Sequence, residues 1–429
     1  MEDIDDLKSF FKKDRIFNYV NVFAFPRLSG TEGEKKAVEL VKSKFREIGF
    51  SNDQIMYQDF NFSTFYSEVL VKILAFLTIV IYSLLIFIKY LYPFFTIITI
   101  IIVVIIFLSI LGALKHPEYQ GFWEKHFGKK VSSTNVFVTL NAKKKSFENA
   151  GNIVISAHLD SKSQTFKTIW RVVFFTIWEI GMVALPILYA FFLVDLYFHV
   201  IRSIILGIEY GIIFTTSLVI FSTFMIFLNN TRNKSPGALD NASGMAIVFE
   251  LSSFFKNNNL DNYNLWFCQF SAEEIGTMGS RIFLDSFEDI FSKHNTFQIN
   301  FDMISCKSQK EVEYVKSYGF LPPKIGSELL DNYIHQAAKE EEVSIKGFSG
   351  VSGAHTDSVP FHLRKYDSID FATFGATKYA HSKEDTPDKI NKKVLYQTCV
   401  VVARMLIDFD QYAIINVKQG DTKIKKKAI

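Results

Sequence analysis

His158 and Asp160 stand two residues apart at the end of the apolar run "NIVISAHLD". Glu273 and Glu274 close "NLWFCQFSAEE", and Asp302 closes "FQINFD". Each run ends in groups that bind a hard cation or move a proton. Residues two apart on an extended strand share a face, so His158 and Asp160 point the same way. A metal-bound imidazole has its second nitrogen held by a carboxylate or carbonyl, a role open to Asp160. Adjacent Glu273 and Glu274 point apart, so one can ligate a cation while the other reaches an activated water as general base. Asp302 adds a hard oxygen ligand. Asp240, in the Gly- and Ser-rich turn "SPGALDNASG", could bridge two cations. His381 in "YAHSKEDTPDKI" is the natural distal imidazole, although alone it reads as a surface-loop histidine. His355 and Asp357 in "SGAHTDSVPF" are further candidates.

The elements that must position these groups follow from periodicity. Residues 33–48, "GEKKAVELVKSKFREI", put Ala37, Val38, Leu40, Val41, Phe45 and Ile48 at helical spacing, and Gly49 supplies a stop. "NASGMAIVFELSSFF" and "SELLDNYIHQAAKEEE" also read as helices. The three acidic-ended runs, "TNVFVTL" and "DFATFGAT" read as strands. Strands alternating with helices predict an α/β fold with a mostly parallel central sheet and helices on both faces. Sites in such sheets form at the carboxyl ends of strands, where His158, Asp160, Glu273, Glu274 and Asp302 all fall.

Four apolar runs interrupt this pattern: roughly Val69–Ile88, Tyr90–Leu114, Val172–Val194 and Ser203–Leu228. Each approaches or exceeds the ~20 residues that cross a hydrocarbon core. Paired by short connections, they predict four transmembrane helices as two inserted hairpins, 66–115 and 168–229. The remaining blocks, 1–65, 116–167 and 230–429, then lie on one side and form one discontinuous domain. Lys115, Lys125, Lys129, Lys130, Lys162, Lys167, Arg171, Arg232 and Lys234 flank that side, whereas the other has little beyond Lys89 and Arg202. The positive-inside rule therefore places the catalytic domain in the cytoplasm of a multi-pass membrane protein. The acidic N-terminus does not read as a secretory signal. Glu179 and Glu209 lie inside apolar runs, but at unmatched depths that argue against an ion path.

Composition agrees with membrane segments: 49% of residues are hydrophobic and 45 are Phe. The net charge of +3, with no basic patch interleaved with aromatics, sets nucleic acid aside. Three dispersed cysteines imply no disulfide framework.

The pieces "PRLSGTEGEKKAVELV", "VISAHLDS", "SPGALDNASGMAIVFEL", "FSAEEIGTMGSRIFL", "NFDMIS", "TDSVPF" and "HSKEDTPDKI" together resemble the di-zinc exopeptidase family of bacterial aminopeptidases, glutamate carboxypeptidase and glutaminyl cyclase. They occur in family order across nearly all the polar sequence. The resemblance implies that His158 and Asp302 bind one zinc, Glu274 and His381 the other, and Asp240 both. It implies Glu273 as general acid/base, Asp160 as the residue orienting His158, and Asp357 and Ser358 near the substrate. The expected activity is that of a membrane-embedded metalloprotease acting as an exopeptidase, an aminopeptidase, that hydrolyses peptide bonds with two Zn²⁺ or other divalent ions as cofactors.

The sequence departs from the family in two places. The family's S-D-H-x-P-F reads Thr356, Asp357, Ser358, Val359, Pro360, Phe361 here, which leaves specificity open. The short segment that normally joins the residues corresponding to Asp160 and Asp240 is replaced by an apolar hairpin. An amidohydrolase acting on N-acyl amino acids or lipid amides is the main alternative. An inactive receptor-like protein, a one-metal cyclase and a transporter are further readings. The partners expected are a peptide or amide substrate and the lipid bilayer.

Overall fold

The computed structural model describes residues 7–92, 126–318, 324–350 and 356–426, with scattered positions between 94 and 105. The strands are β1 (Ile55–Ser63), β2 (Lys130–Leu140), β3 (Gly151–His158), β4 (Ser163–Gln164), β5 (Thr231–Arg232), β6 (Tyr263–Phe270), β7 (Thr296–Phe301), β8 (Val312–Tyr318), β9 (Lys324–Ile325), β10 (Ile345–Gly350) and β11 (Asp367–Phe371). Nine of them form one sheet in the order β1-β2-β6-β3-β7-β11-β8-β10, with β9 on β8. β4 and β5 pair separately.

Every residue of β3, β6 and β7 is buried, as expected for strands covered on both faces. Ile153 and Ile155 face one core with Val20, Phe45, Phe249 and Val401 from the flanking helices. Val154, between them, faces the opposite core with Trp266, Phe283 and Phe361. Period-two alternation thus splits one apolar run between two layers. Helices Lys13–Phe23, Glu32–Ile48, Ser243–Asn257, Glu328–Glu340 and Lys392–Lys426 contribute to the first layer. Met278–Phe287 and Val359–Leu363 contribute to the second.

Helix Glu32–Ile48 stops where the spacing predicts. Gly49 adopts a left-handed φ of 101° and its N–H returns to Phe45 and Arg46 carbonyls, a turn that other residues enter at a cost.

The sheet is mixed, which corrects the expectation of a mostly parallel one. β6, β3, β7 and β11 run parallel and form its centre. β1 with β2, β2 with β6, and β11 with β8 are antiparallel. The chain leaves β1 into the first apolar segment and returns as β2 beside it, so the two pair like hairpin arms. β1 also alternates between buried and exposed residues, as a strand covered on one face does. "DFATFGAT" is strand only to Phe371 and then a tight turn over Phe374–Lys378.

Three helices among the described residues, not four, are long and apolar enough to cross a membrane: Phe65–Ser83, Thr168–Phe198 and Ile205–Phe227. The expected span Tyr90–Leu114 falls largely outside the described residues. The second and third of these helices are joined through His199, left-handed at φ 54°, and through the Asp195 carboxylate, which accepts the Ile201 N–H at 3.0 Å. They pack through Leu185, Tyr189, Ile208, Ile212 and Val219. Gly181 makes this approach possible, since a Cβ there would lie 2.1 Å from Val219 Cγ2. Tyr82 in helix Val71–Leu91 reaches Met182 Sδ at 2.8 Å, so the first helix joins the pair. Cys268, Cys306 and Cys399 are free and buried.

Candidate active site

The ends of β3, β6 and β7 bring His158, Glu273, Glu274 and Asp302 together, and two loops add Asp240 and His381. His158 Nε2 lies 3.2 Å from Asp240 Oδ1 and 3.4 Å from Asp302 Oδ1. His381 Nε2 lies 3.1 Å from Asp240 Oδ2 and 3.0 Å from Glu274 Oε2. The two oxygens of Asp240 therefore serve two separate imidazoles. Ligand atoms of His158, Asp240 and Asp302 lie within 4.8 Å of one another, as do those of Asp240, Glu274 and His381. This mixed nitrogen–oxygen set, sharing one carboxylate, fits a pair of divalent cations such as zinc. Glu273 belongs to neither group, and its Oε2 is 3.9 Å from His158 Nε2.

Charge balance at this cluster is dominated by carboxylates. Burial works against a charged His158, but Glu273, Asp160, Asp240 and Asp302 reverse this and raise its pKa well above the ordinary value. Burial likewise opposes ionisation of Asp240, yet hydrogen bonds from His158 and His381 hold its carboxylate below the usual range. Glu274 is lowered to about 2: burial and Asp240 oppose ionisation, but His381 and Lys162 outweigh them. Glu273 goes the other way, pushed well up chiefly by burial. Adjacent carboxyls with opposite shifts are what a ligand and a proton carrier require.

Asp160 sits beside His158, but its parts divide the work. Its backbone carbonyl is 3.1 Å from His158 Nδ1, while its carboxylate oxygen is 3.5 Å away. That carboxylate accepts the N–H groups of Glu273 and Glu274 at 3.2 and 3.3 Å, and the Ser29 hydroxyl at 2.8 Å. Asp160 thus ties the end of β3 to the turn after β6. Non-glycine residues at left-handed φ flank or form the site: Ala272 at 58°, Met303 at 55° and His381 at 61°. Such conformations cost roughly 1–3 kcal/mol each and persist where surrounding contacts impose them.

Asp357 is fully buried, and its carboxyl is pushed up to about 7 by burial, with His158 pulling the other way. Ser358 donates to Asp370, which also receives Thr356 at 3.1 Å and Asn300 at 2.8 Å. The loop is therefore anchored to β11. His355 lies outside the described residues.

Several residues escaped the sequence reading. Arg27 is fully buried and donates to five backbone carbonyls: Phe23 and Leu159 at 2.6 Å, Phe25 at 3.1 Å, Pro236 at 2.7 Å and Gly237 at 2.9 Å. It clamps the chain leaving β3 to the chain returning toward Asp240. Its sequence signals are a cation within the apolar "FAFPRL" and a place at the head of the piece "PRLSGTEGEKKAVELV". Asp385 accepts the N–H groups of Leu239 and Asp240 at 2.6 and 3.1 Å and so fixes the shared carboxylate's backbone.

Lys162, Lys167 and Arg171 stand at the edge of an apolar run in the sequence. Lys162 Nζ lies 2.8 Å from Glu274 Oε2, Lys167 Nζ 2.7 Å from Glu384 and Arg171 3.0 Å from His381 Nδ1. These local contacts account for three of the flanking cations without reference to topology.

Residues 225–406 match the family model described as peptidase family M28. Aminopeptidase YwaD of Bacillus subtilis (strain 168) is 29% identical over 171 residues, 38% of this chain, which spans only 35% of that relative. BSAP, a zinc aminopeptidase from Bacillus subtilis, superposes with a TM-score of 0.53 at 14% identity, over 93% of this chain and 95% of that one. An Acidobacteriales bacterium glutaminyl cyclase gives 0.53 at 15% identity, over 94% and 95%. Residues 225–406 thus match peptidase family M28, and the described fold is the one seen in zinc aminopeptidases and glutaminyl cyclases.

Proposed function

We propose that this chain is a zinc metallopeptidase, most simply an aminopeptidase, built as one discontinuous domain around two ions at a bilayer surface. The observation that carries the reading is the division of the Asp240 carboxylate between His158 and His381, with Glu273 beside them but outside both groups. The M28 match and the aminopeptidase relative support it. His158, Asp240 and Asp302 would hold one cation and Asp240, Glu274 and His381 the other.

Bound there, the ions supply carbonyl polarisation and a lowered water pKa. Glu273 is the proton carrier. Its burial raises its proton affinity, which suits a group that takes a proton from the attacking water and returns it to the leaving amine. Asp160 holds the Glu273 N–H and so fixes that carboxyl's starting point. The Asp160 carbonyl on Nδ1 keeps the His158 lone pair at Nε2 free for ligation.

The membrane part of the proposal rests on helix Thr168–Phe198. Its 31 residues span ~46 Å at 1.5 Å each, more than the ~30 Å hydrocarbon core. Its first turn touches His381, and this contact supports a site close to the bilayer and a preference for membrane-associated peptides. Lys129, Arg232 and Lys234 support a cytoplasmic location for the domain. An amidohydrolase acting on N-acyl amino acids or lipid amides, using the same cluster and proton carrier, is the second reading.

The test compares the purified chain on aminoacyl and N-acyl substrates, and on one peptide with and without a lipid anchor. Glu273→Gln is expected to lower kcat by roughly 10²–10⁴ with both ions retained. Full activity in that variant would refute the assigned proton carrier. Equal kcat/KM for anchored and free peptide would refute the membrane preference, and turnover confined to N-acyl substrates would favour the amidohydrolase.

A further inference from the structure

The loop carrying His381 is docked on the chain that enters the apolar hairpin. Gln164 N–H donates to the His381 carbonyl at 2.9 Å, and Lys167 Nζ pairs with Glu384 at 2.7 Å. Thr168 Oγ1, on the first residue of helix Thr168–Phe198, lies 2.9 Å from His381 Nδ1 and 3.3 Å from the Ala380 carbonyl. Arg171, one turn on, brings Nη1 to 3.0 Å from the same Nδ1.

These contacts compete. Nδ1 can give a proton to Thr168 or receive one from Arg171, but not both. An imidazole that ligates through Nε2 carries its proton on Nδ1 and needs an acceptor there, usually a carboxylate, carbonyl or water. Thr168 fits: its own hydrogen points to the Ala380 carbonyl, leaving a lone pair for Nδ1–H. Arg171 has only donors, so it opposes this tautomer.

We infer that Thr168, at the head of the second apolar hairpin, is the residue that orients His381 for metal binding, and that the hairpin is thereby part of the metal site's supporting shell. The inference rests on the two-ion reading above. It makes the helix more than an anchor, because any shift of its first turn moves a ligand. It also assigns Arg171 the opposite sign: its guanidinium disfavours the ligating tautomer and adds positive charge beside the cation.

The experiment uses the full chain in lipid nanodiscs. Zinc affinity is read by competition with a chelating chromophore, and ligand geometry from the visible spectrum of the cobalt-loaded protein. Thr168→Val, nearly isosteric but without a hydroxyl, is expected to weaken one of two ions by roughly 10–100-fold, with a changed cobalt spectrum. Thr168→Ser should restore affinity and spectrum, which rules out simple misfolding. Arg171→Met should bind zinc as tightly as the wild type or more tightly. Two ions bound with unchanged affinity in Thr168→Val would overturn the inference while leaving the metallopeptidase reading intact. Equal weakening in Thr168→Val and Arg171→Met would also overturn it, as general loosening of the turn. If the wild type fails to bind two ions, the two-ion reading itself fails.

Discussion

Arg27→Met is the substitution whose cost the structure defines most fully. The guanidinium is fully buried and spans carbonyls from three separated segments: Phe23 and Phe25, Leu159, and Pro236 and Gly237. Burial lowers its pKa to about 10 although Asp385, Asp160 and Asp240 draw it up, so it remains charged at neutral pH. Methionine keeps most of the length and all of the apolar stem but removes five donors. Each hydrogen bond from a charged donor is worth ~1.5–3 kcal/mol, a sum near 10 if none were recovered. Water and relaxation recover part of it, and breaking comparable buried polar networks costs ~3–5 kcal/mol. We expect a loss of about 4 kcal/mol. Metal affinity should fall as well, since Leu159 follows His158 and Gly237 precedes Asp240. Arg27→Lys should recover little, because one ammonium cannot span all three segments. The assay is denaturant-induced unfolding in detergent, followed by tryptophan fluorescence with zinc content measured in parallel. A loss below ~1 kcal/mol, typical of an ordinary substitution, would refute the clamp.

Gly181→Leu should separate helix Thr168–Phe198 from Ile205–Phe227, because even a Cβ meets Val219 at 2.1 Å. The expected cost is ~1–3 kcal/mol, read as faster proteolysis between residues 199 and 204 in detergent; unchanged protection would refute the close packing. Asp408→Asn tests a buried acid away from the metal site. Burial, with Glu340 adding to it, raises the Asp408 pKa from 3.8 to about 7. Its folded state therefore binds the proton more tightly than the unfolded chain. The stability this contributes is complete below about 4 and lost as pH rises to about 7. Because the group is half-screened, Asn should gain about 1 kcal/mol at pH 8 and flatten the pH 4–7 slope of the unfolding midpoint. An unchanged slope would refute the shift.

How much of this was legible in advance depended on the range of the interactions. Local periodicity determined helix Glu32–Ile48 and its Gly49 stop, and the all-apolar β3, β6 and β7 with acids at their ends. Because such strands are buried on both faces and open their sites at one edge, residue order alone gathered His158, Glu273, Glu274 and Asp302 into one list. The long apolar runs were equally plain, since crossing a bilayer is a requirement on consecutive residues. Strand direction was not legible. β1 and β2 carry no local mark of being antiparallel, and β8 and β10 pass as amphipathic loops until they pair.

Side chains that act across long sequence separations were also invisible. Arg27 spans three segments, Asp160 holds backbone rather than only His158, and Thr168 meets His381 from 213 residues away. Lys162, Lys167 and Arg171 show the limit most clearly. Charge beside an apolar run is a correct reading of composition, but which acid or imidazole each cation meets depends on how the turn after β6 and the loop of His381 dock against it. The sequence by itself determined the candidate ligand types and the apolar segments, through nearest-neighbour pattern. Tertiary structure alone decided that the head of one apolar helix and the loop of His381 occupy the same few ångströms.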